Sequence, residues 1–171
     1  SLGGGLQCLE PLSGTFETYT SNNSALLENN VTSLCWVDDN TLFFGTASQG
    51  VGTMDMRTRE IKKIQGQSDS MKLSNDAVNH VYKDSRGLVW IATREGLNVY
   101  DTRRHMFLDL FPVAEAKGNF IAAITEDQER NMWVSTSRKV IRVTVASDGK
   151  GSYLFDSRAY NSEDGLQNCD F

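Results

Sequence analysis

The chain has 171 residues, a formal net charge of −5, 39% hydrophobic residues and 23% charged residues. This balance is typical of a globular domain, and the sequence has no run of eighteen apolar residues, the length of a membrane-spanning helix. Acidic and basic residues are interspersed, and no basic patch with interleaved aromatic residues indicates a nucleic-acid surface.

The chain contains an internal repeat. Residues 31–46, 78–93 and 121–136 align without gaps, and each segment ends in threonine. Large aromatic residues coincide in this alignment, and the residue two places further on is always small; the pairs are Phe43 and Gly45, Trp90 and Ala92, Trp133 and Ser135. Repeats of about 40 to 50 residues indicate a modular architecture in which each unit is one supersecondary structure.

In chain order, residues 3–20 match the back half of a unit, three full units follow, and residues 160–171 match the start of another. The full units are predicted at 27–65, 73–111 and 120–158. Because the chain begins inside a unit, we expect that it belongs to a longer protein, and we treat residues 1–171 as a single segment of it.

The middle unit shows four short strands, at 78–83, 88–93, 97–101 and 106–111. Asp84-Ser85-Arg86-Gly87 has the turn chemistry of a tight hairpin. The second strand is apolar at consecutive positions, which a strand tolerates when both of its faces are covered. The sequence therefore predicts an all-β fold, a β-propeller segment of about three and a half four-stranded antiparallel blades with an incomplete ring.

The repeated aromatic residues are predicted to fill the space between neighbouring blades, and the small residues let the blades approach. A helical repeat of similar length is disfavoured, because no amphipathic stretch of ten or more residues is present. In the third unit Arg130 occupies the place of Gly87, so we expect its turn to close with Asn131 in the left-handed conformation.

Acidic residues recur at the first hairpin turn of each unit, as Asp38-Asp39-Asn40, Asp84 and Glu126-Asp127. A turn-capping role explains them, and the spacing of a calcium loop is absent. His80 and His105 have no partner at a spacing typical of metal ligation or nucleophilic catalysis. We therefore predict no catalytic residue, no metal site and no cofactor.

The chain has three cysteines, Cys8, Cys35 and Cys169, an odd number without metal-type spacing. Free thiols are the favoured interpretation, and the redox compartment stays open.

Propellers tend to bind ligands at one end of the central channel, through loops that enter the innermost strand and turns between the middle strands. The candidate ligand-binding residues are Asn29, Asn30, Asn75 and Asp76 on the entering loops and Arg94 and Glu95 on the inner turn. The alternative is that Asn and Asp before a strand are simply turn formers.

Residues 73–78, 84–93 and 96–101 resemble the two-component regulator propeller repeat. The shared pattern is Leu-Ser before the first strand, Asp-x-x-Gly followed by an apolar Trp-containing strand, and Gly-Leu-x-x-Tyr-Asp. The middle unit is close to this pattern, with Ala92 in place of a glycine. The third unit has Lys139-Val140 for Gly-Leu, and the first has Phe43 for Trp.

The resemblance implies a sensor and not an enzyme. In this family such propellers form the periplasmic input region of hybrid two-component systems in Bacteroides-type gut bacteria, joined through a membrane helix to a histidine kinase and a receiver. The expected ligand is an oligosaccharide released from a polysaccharide, and the expected output is transcription of the matching utilisation genes. The segment would lie on the periplasmic side and meet the membrane only through its parent protein.

Two other functions stay open. One is a protein-interaction scaffold without a small ligand, and the other, ranked third, is an enzyme of the streptogramin-lyase type, whose catalytic pattern His80 and His105 do not match. Open blade edges also favour association. We expect two copies of the isolated chain to pair edge to edge or to exchange strands.

Overall fold

The computed structural model describes residues 3–68, 71–110, 113, 116–149 and 151–166. Strands β1 and β2 form a two-stranded sheet, here called the half-blade, at Leu6–Glu10 and Thr15–Tyr19. The first blade consists of β3 to β6, at Val31–Trp36, Thr41–Thr46, Val51–Asp55 and Ile61–Lys63.

The second blade consists of β7 to β10, at Val78–Lys83, Leu88–Thr93, Gly96–Asp101 and Met106–Leu108. The third blade consists of β11 to β14, at Ile121–Glu126, Met132–Thr136, Val140–Ser147 and Tyr153–Tyr160. Each blade is an antiparallel meander in which consecutive strands are hydrogen-bonded neighbours. The prediction of four-stranded antiparallel units is confirmed.

Two strand ends differ from the sequence-based expectation. The fourth strand of the second blade ends at Leu108 rather than at 111, and Phe111 lies outside the described residues. The last strand of the third blade continues to Tyr160, two residues past the predicted boundary at 158. A short 3-10 turn follows at Ser162–Asp164, and residues 167–171, with Cys169, lie outside the described part of the chain.

Neighbouring blades pack face to face through apolar clusters. Phe43 packs with Val81, Tyr100 and other residues of the second blade, and its ring centroid lies 5.9 Å from that of Tyr100. Trp90 packs in the same way on the third blade and meets Phe155 edge to face at 5.9 Å. Both aromatic side chains are fully buried, as predicted.

Trp133 departs from this pattern. It is only half-buried, because the described residues place no sheet against that face of the third blade. The ring of Tyr160 stacks on it instead, with centroids 5.8 Å apart and planes tilted by 29°. The guanidinium group of Arg158 lies 5.0 Å from the centroid of the Tyr160 ring, a cation–π contact.

The first hairpin turn is anchored by an aspartate and a tryptophan. Asp84 accepts hydrogen bonds from the backbone N–H groups of Arg86 and Leu88 at 2.9 Å and from the Trp90 indole at 3.0 Å. Asp127 repeats the pattern and accepts from the Trp133 indole at 2.7 Å. The predicted turn-capping role is therefore confirmed, and it extends to the buried indole.

The first blade has neither member of this pair. Val37 stands at the position of Asp84, and Phe43, which has no N–H group, stands at the position of Trp90. The turn cap moves one residue along, to Asp38, which accepts from the N–H groups of Asn40 and Thr41 at 2.8 Å. An indole donor and its carboxylate acceptor are thus present or absent together.

The expectation for the third turn was wrong in one respect. Arg130, and not Asn131, has the left-handed conformation, with φ 65°. The turn keeps the geometry that Gly87 gives to the second blade, because Asp127 holds the N–H group of Asn131 at 2.8 Å. The strained Arg130 gains a compensating contact, since its Nε donates to Ser85 Oγ of the preceding blade at 2.8 Å.

Asp84→Ala should destabilise the folded state by about 2–4 kcal/mol, because the indole N–H group and two turn N–H groups lose their acceptor. Trp90→Phe should lower the free energy of unfolding by less in the Asp84→Ala variant than in the wild type, because the indole N–H group that it removes is already unpaired in that variant. Urea unfolding of the two single variants and the double variant measures this coupling. Asp38→Ala is the matched control without an indole and should cost about 1 kcal/mol. Additive effects at Asp84 and Trp90 would contradict the pairing.

Gly45→Ala should destabilise the junction between the first and second blades by about 1–3 kcal/mol, because an added Cβ would lie 2.4 Å from Val78 Cγ1. Val78→Ala should partly rescue this variant when the free energies of unfolding are compared. Ser135→Thr, which keeps the hydroxyl group and adds a methyl group at the equivalent position on the uncovered face of the third blade, should change stability by less than about 1 kcal/mol. Equal effects at both positions would show that close approach of the blades is not the cause.

Candidate functional site

The first strands of the blades, β3, β7 and β11, lie side by side at the inner edge of the segment. The Val81 N–H group donates to Ser33 Oγ at 3.1 Å, and the Ile124 N–H group donates to His80 Nδ1 at 3.1 Å. Ser33 and His80 are equivalent positions of successive blades. The inner edge is therefore held by a side-chain acceptor from each blade to the backbone of the next.

The antiparallel meander gives the segment two ends. The entry end contains the loops that lead into the inner strands, near 28–30, 72–77 and 116–120, and the inner turns at 47–50 and 94–95. The turn end contains the first hairpin turns at 37–41, 84–88 and 127–132, the outer turn at 102–105, and residues 148–149 and 151–152 beyond the third strand of the third blade. All six sequence-predicted ligand residues lie at the entry end.

Backbone contacts bind the entry end together. Gly5 N–H donates to the Asn29 carbonyl and Gly50 N–H donates to the Asp76 carbonyl, both at 2.9 Å, so an inner turn is fixed to the loop of the following blade. Within a blade, the Asn30 carbonyl accepts from the Ala47 N–H group at 3.0 Å. These contacts make the entry end a rigid platform, as a binding surface requires.

The side chains of two predicted residues are used for local structure. Asn29 Oδ1 accepts from the Ser21 N–H group at 2.8 Å, and Asn75 Oδ1 accepts from the Ala77 N–H group at 2.8 Å. The Asn75 contact, two residues away, is that of a turn former, whereas the Asn29 contact reaches back eight residues and holds the loop that leads into β3. Asp76, Arg94 and Glu95 are exposed, and within the described residues their side chains form no hydrogen bond or ion pair.

Glu28 is an entry-end residue that sequence reasoning missed. Its carboxylate accepts from the Ser48 N–H group at 2.9 Å and from Ser48 Oγ at 2.6 Å, joining the entering loop to the inner turn of the same blade. No sequence motif marks this pair, because the two residues come together only when the first blade folds.

A polar groove of about 570 Å³ at the turn end was also missed by sequence reasoning. It lies between the second and third blades and is lined by Ser85, Arg86, Arg103, Glu129, Arg130, Val145, Ser147 and Tyr153. These residues come from three turns and from the facing ends of β13 and β14, which are distant in sequence. An alignment of the first hairpin turns of the second and third blades would have indicated that Arg86 and Arg130 lie close together, because equivalent turns of neighbouring blades are adjacent.

A network of ion pairs and hydrogen bonds, here called the Arg86 and Glu126 latch, crosses the junction between the second and third blades and forms one wall of the polar groove. Arg86 is nearly buried, and its Nη1 lies 3.2 Å from Asp84 Oδ2 and 3.1 Å from Glu126 Oε1. Glu126 also accepts from the Ser85 N–H group at 2.8 Å and from Ser85 Oγ at 2.7 Å. The Arg86 guanidinium group donates to the Arg130 carbonyl as well. Arg103, by contrast, has an exposed side chain with no such partner among the described residues.

An apolar notch of about 360 Å³ lies between the half-blade and the first blade. It is lined by Gly5, Leu6, Gln7, Cys8, Tyr19, Val31, Thr32, Ser33, Leu34, Trp36, Leu42, Met54 and Met56. Cys8 and Cys35 are free thiols in the structure. Burial raises the pKa of the Cys35 thiol to about 11, so this thiol is protonated at neutral pH.

Two further groups have shifted pKa values. The indole of Trp133 and the turn N–H groups that bond to Asp127 lower the pKa of its carboxyl to about 2. Burial lowers the pKa of His80, which favours the neutral imidazole that can accept from Ile124. In the described ranges, no group of three or more His, Cys, Asp and Glu side chains is arranged to hold a metal ion.

The geometry defines a β-propeller segment with a rigid polar end, and the comparisons with known proteins agree with this class. Residues 72–95, which span the first two strands of the second blade, match the family described as the two component regulator propeller. The match confirms the resemblance inferred from the residues of the second blade. None of the curated protein sequences compared with the chain matches it.

Solved structures share the fold. The extracellular domain of BT3049, described as a hybrid two component system of B. thetaiotaomicron, has a TM-score of 0.71 and 19% identity, covering 99% of this chain and 21% of that chain. The extracellular domain of BT4673 from the same organism is described in one structure as a hybrid two component system and in another as a one component system. It has a TM-score of 0.66 and 17% identity, covering 94% of this chain and 22% of that chain.

Virginiamycin B lyase from Staphylococcus aureus is a more distant structural relative, with a TM-score of 0.54 and 16% identity, covering 82% of this chain and 43% of that chain. These likenesses confirm the propeller fold. The chain spans about a fifth of the two extracellular domains. Within the described residues, no helix has the length and apolar character needed to cross a bilayer.

Acidification should loosen the junction between the second and third blades. His80 has a lowered pKa in the folded state, so its contribution to stability is complete above the unfolded value of about 6.5 and is lost as the pH falls through the folded pKa. The free energy of unfolding, measured with urea between pH 7.5 and 5, should therefore fall with pH more steeply in the wild type than in His80→Ser.

Serine is the natural acceptor at this position of the first blade, so His80→Ser keeps an acceptor for the Ile124 N–H group without a titrating ring. His105→Asn, at an exposed left-handed turn position, is the control for removing a histidine that makes no contact between inner strands. An identical pH dependence in His80→Ser and the wild type would rule out this role of His80.

Proposed function

We propose that this chain is a non-catalytic, ligand-sensing segment of the extracytoplasmic input region of a hybrid two-component sensor. The observation that carries the proposal is the match of residues 72–95 to the two component regulator propeller. The two structural relatives described as hybrid two component systems support it, because both are extracellular domains. In this proposal the segment lies on the periplasmic side, and the parent protein carries the membrane anchor and the histidine kinase.

The proposed ligand is an oligosaccharide derived from a polysaccharide, bound at the entry end, and the proposed output is transcription of utilisation genes through the parent's kinase. The entry end offers exposed charged side chains, Asp76, Arg94 and Glu95, on a backbone that neighbouring blades hold in place. Sugars present many hydroxyl groups, and such polar side chains on a rigid scaffold can bind them by hydrogen bonds. No cofactor takes part.

Catalysis is not part of the proposal. The likeness to virginiamycin B lyase concerns the fold, and a fold alone does not carry an activity. His80 is engaged in the contact between inner strands, and His105 lies in an exposed outer turn. Neither histidine is placed beside a candidate nucleophile by any described hydrogen bond.

A protein-interaction scaffold is the second candidate. The observation that favours it is the exposure of large apolar side chains on the half-blade and on β3, namely Leu9, Leu12, Phe16, Leu34 and Trp36. Exposed apolar patches of this kind mark interaction surfaces. Self-association of the isolated chain through its open blade edges is a separate proposal that holds for either function.

Thermal-shift measurements on the complete extracytoplasmic region, with plant and host oligosaccharides as probes, test the sensing proposal. A ligand at a hundred times its dissociation constant should stabilise the folded state by about 2.7 kcal/mol. We expect a dose-dependent rise in Tm for one class of glycan. If no glycan raises the Tm, sensing by direct binding is wrong and the scaffold becomes the better explanation.

Arg94→Gln and Arg103→Gln form a matched pair for locating the site. Both arginines are exposed and their side chains lack hydrogen-bond partners among the described residues, but Arg94 lies at the entry end and Arg103 in the polar groove. We expect the glycan-induced shift to be lost with Arg94→Gln and kept with Arg103→Gln. The reverse result would move the site to the polar groove.

A further inference from the structure

The outer hairpin of the third blade is longer than that of the second blade. Strands β13 and β14 have 8 residues each, whereas β9 has 6 residues and β10 has 3. Met132, the first residue of β12, pairs with Val143 of β13, so residues 144–147 of β13 pair with β14 alone. In the second blade β9 ends at Asp101, which still pairs with β8. The third blade therefore extends past the turn end with residues 144–147 and 153–156, here called the overhang.

The overhang gives the polar groove its outer wall. Ser147 pairs with Tyr153, and Val145 lies two residues before Ser147, so these three side chains share one face of the hairpin. All three line the polar groove. The Arg104 guanidinium group of the second blade donates to the Gly151 carbonyl at 3.2 Å and ties the tip of this hairpin to the outer turn opposite. The outer wall is therefore preformed.

The opposite wall is the Arg86 and Glu126 latch. The side chain of Arg86 is only 11% exposed, and its charge is compensated by Asp84 and Glu126. Arg86 therefore shapes the groove, but its charge is not free for a ligand. Both walls belong to blades that are present in the segment, so the groove does not depend on how the chain continues.

Two other arginines bring unused hydrogen-bond donors into the groove. Arg103 is exposed, and its side chain has no hydrogen bond or ion pair among the described residues. Arg130 donates through Nε to Ser85 Oγ at 2.8 Å, and its terminal amino groups have no partner within the described part of the chain. Glu129 is the acidic member of the described lining residues. The two guanidinium groups therefore exceed the carboxylate by one positive charge.

The conformation of Arg130 is a second indication that its guanidinium group has a function. Its φ of 65° lies in the left-handed region, where the equivalent residue of the second blade is Gly87. A residue with a side chain is strained there, and strained residues cluster at binding sites. An added Cβ at Gly87 would contact nothing within 4 Å, so the turn itself needs no side chain at this position. Arg130 is therefore unfavourable for the turn, and what it adds is a charged group in the groove.

We propose that the polar groove binds a small hydroxylated carboxylate, such as a sugar acid. The carboxylate lies between the Arg103 and Arg130 guanidinium groups, because arginine forms charge-assisted and often paired hydrogen bonds with carboxylates. A monoanion matches the single excess positive charge, whereas a phosphate dianion would be repelled by Glu129. The groove volume of about 570 Å³ lies in the range of small-molecule sites.

The hydroxyl groups of such a ligand have partners elsewhere in the groove. The Glu129 carboxylate accepts hydrogen bonds, and the Ser147 and Tyr153 hydroxyls can both donate and accept them. The half-buried Val145 offers an apolar contact to the carbon atoms of a sugar ring. This site lies at the turn end and is independent of any glycan bound at the entry end.

Isothermal titration calorimetry on the complete extracytoplasmic region tests this site, with glucuronate as the probe and glucose as the matched neutral sugar. We expect glucuronate to bind at least about tenfold more tightly than glucose, because glucose has no carboxylate for the two arginines. Arg103→Gln and Arg130→Gly should each raise the Kd of glucuronate at least about tenfold. Glycine is the natural residue at this turn position of the second blade, so Arg130→Gly keeps the turn and provides the measurement if Arg103→Gln does not fold, as judged by its Tm.

Arg57→Gln is the matched control. Arg57 follows Asp55 at the outer turn of the first blade as Arg103 follows Asp101, and it is also exposed, but it is not among the described residues that line the polar groove. We expect this variant to leave the Kd of glucuronate unchanged. An equal loss of affinity in Arg57→Gln and Arg103→Gln overturns the proposal, because the effect is then one of overall charge.

Three further results would overturn the proposal. Absence of glucuronate binding, or equal affinity for glucose, removes the role of the carboxylate. An unchanged Kd in both Arg103→Gln and Arg130→Gly places the bound glucuronate outside the polar groove. A short acidic peptide that binds more tightly than glucuronate makes the groove a contact for a protein. None of these results bears on the entry end, which the thermal shift of Arg94→Gln tests separately.

Discussion

Everything in this segment depends on the fact that a blade has two apolar faces and can cover neither by itself. The second strands are apolar at consecutive positions, so a single sheet would leave half of them in water. Stacking removes both faces of the second blade from solvent, and the strand Leu88–Thr93 is completely buried as a result. Leu34 faces only the half-blade and Trp133 lies on the uncovered face of the third blade, which is why Leu34 is exposed and Trp133 half-buried where their counterparts are buried.

Polar contacts at the two ends fix how closely and at what angle the blades meet. At the entry end, backbone bonds join each inner turn to the following loop, and at the turn end the Arg86 and Glu126 latch spans one junction. These contacts add little by comparison with apolar burial. They do restrict sliding of one sheet over another, which apolar packing alone does not prevent.

Sequence reasoning predicted the strands well because their signals are local. The bounds of β7 and β8 follow directly from the apolar runs and from the Asp84 to Gly87 turn. It misplaced the left-handed residue of the third turn, because the contact of Arg130 with Ser85 joins two blades. The candidate site was harder to predict. Asn29 and Asn75 are polar residues in loops, but their side chains bond to backbone N–H groups, and only the folded structure shows which polar side chains remain exposed.

The close approach of Gly45 to Val78 has a consequence for how such an array can evolve. Each junction carries its own matched pair of surfaces, glycine against valine in one case and Ala92 within a larger apolar cluster in the next. A blade transplanted to another place would bring a methyl group where none fits, or leave a space where one is needed. The blades of this segment are therefore not interchangeable, and duplicating one blade or changing the order of the blades would disturb the packing at a junction.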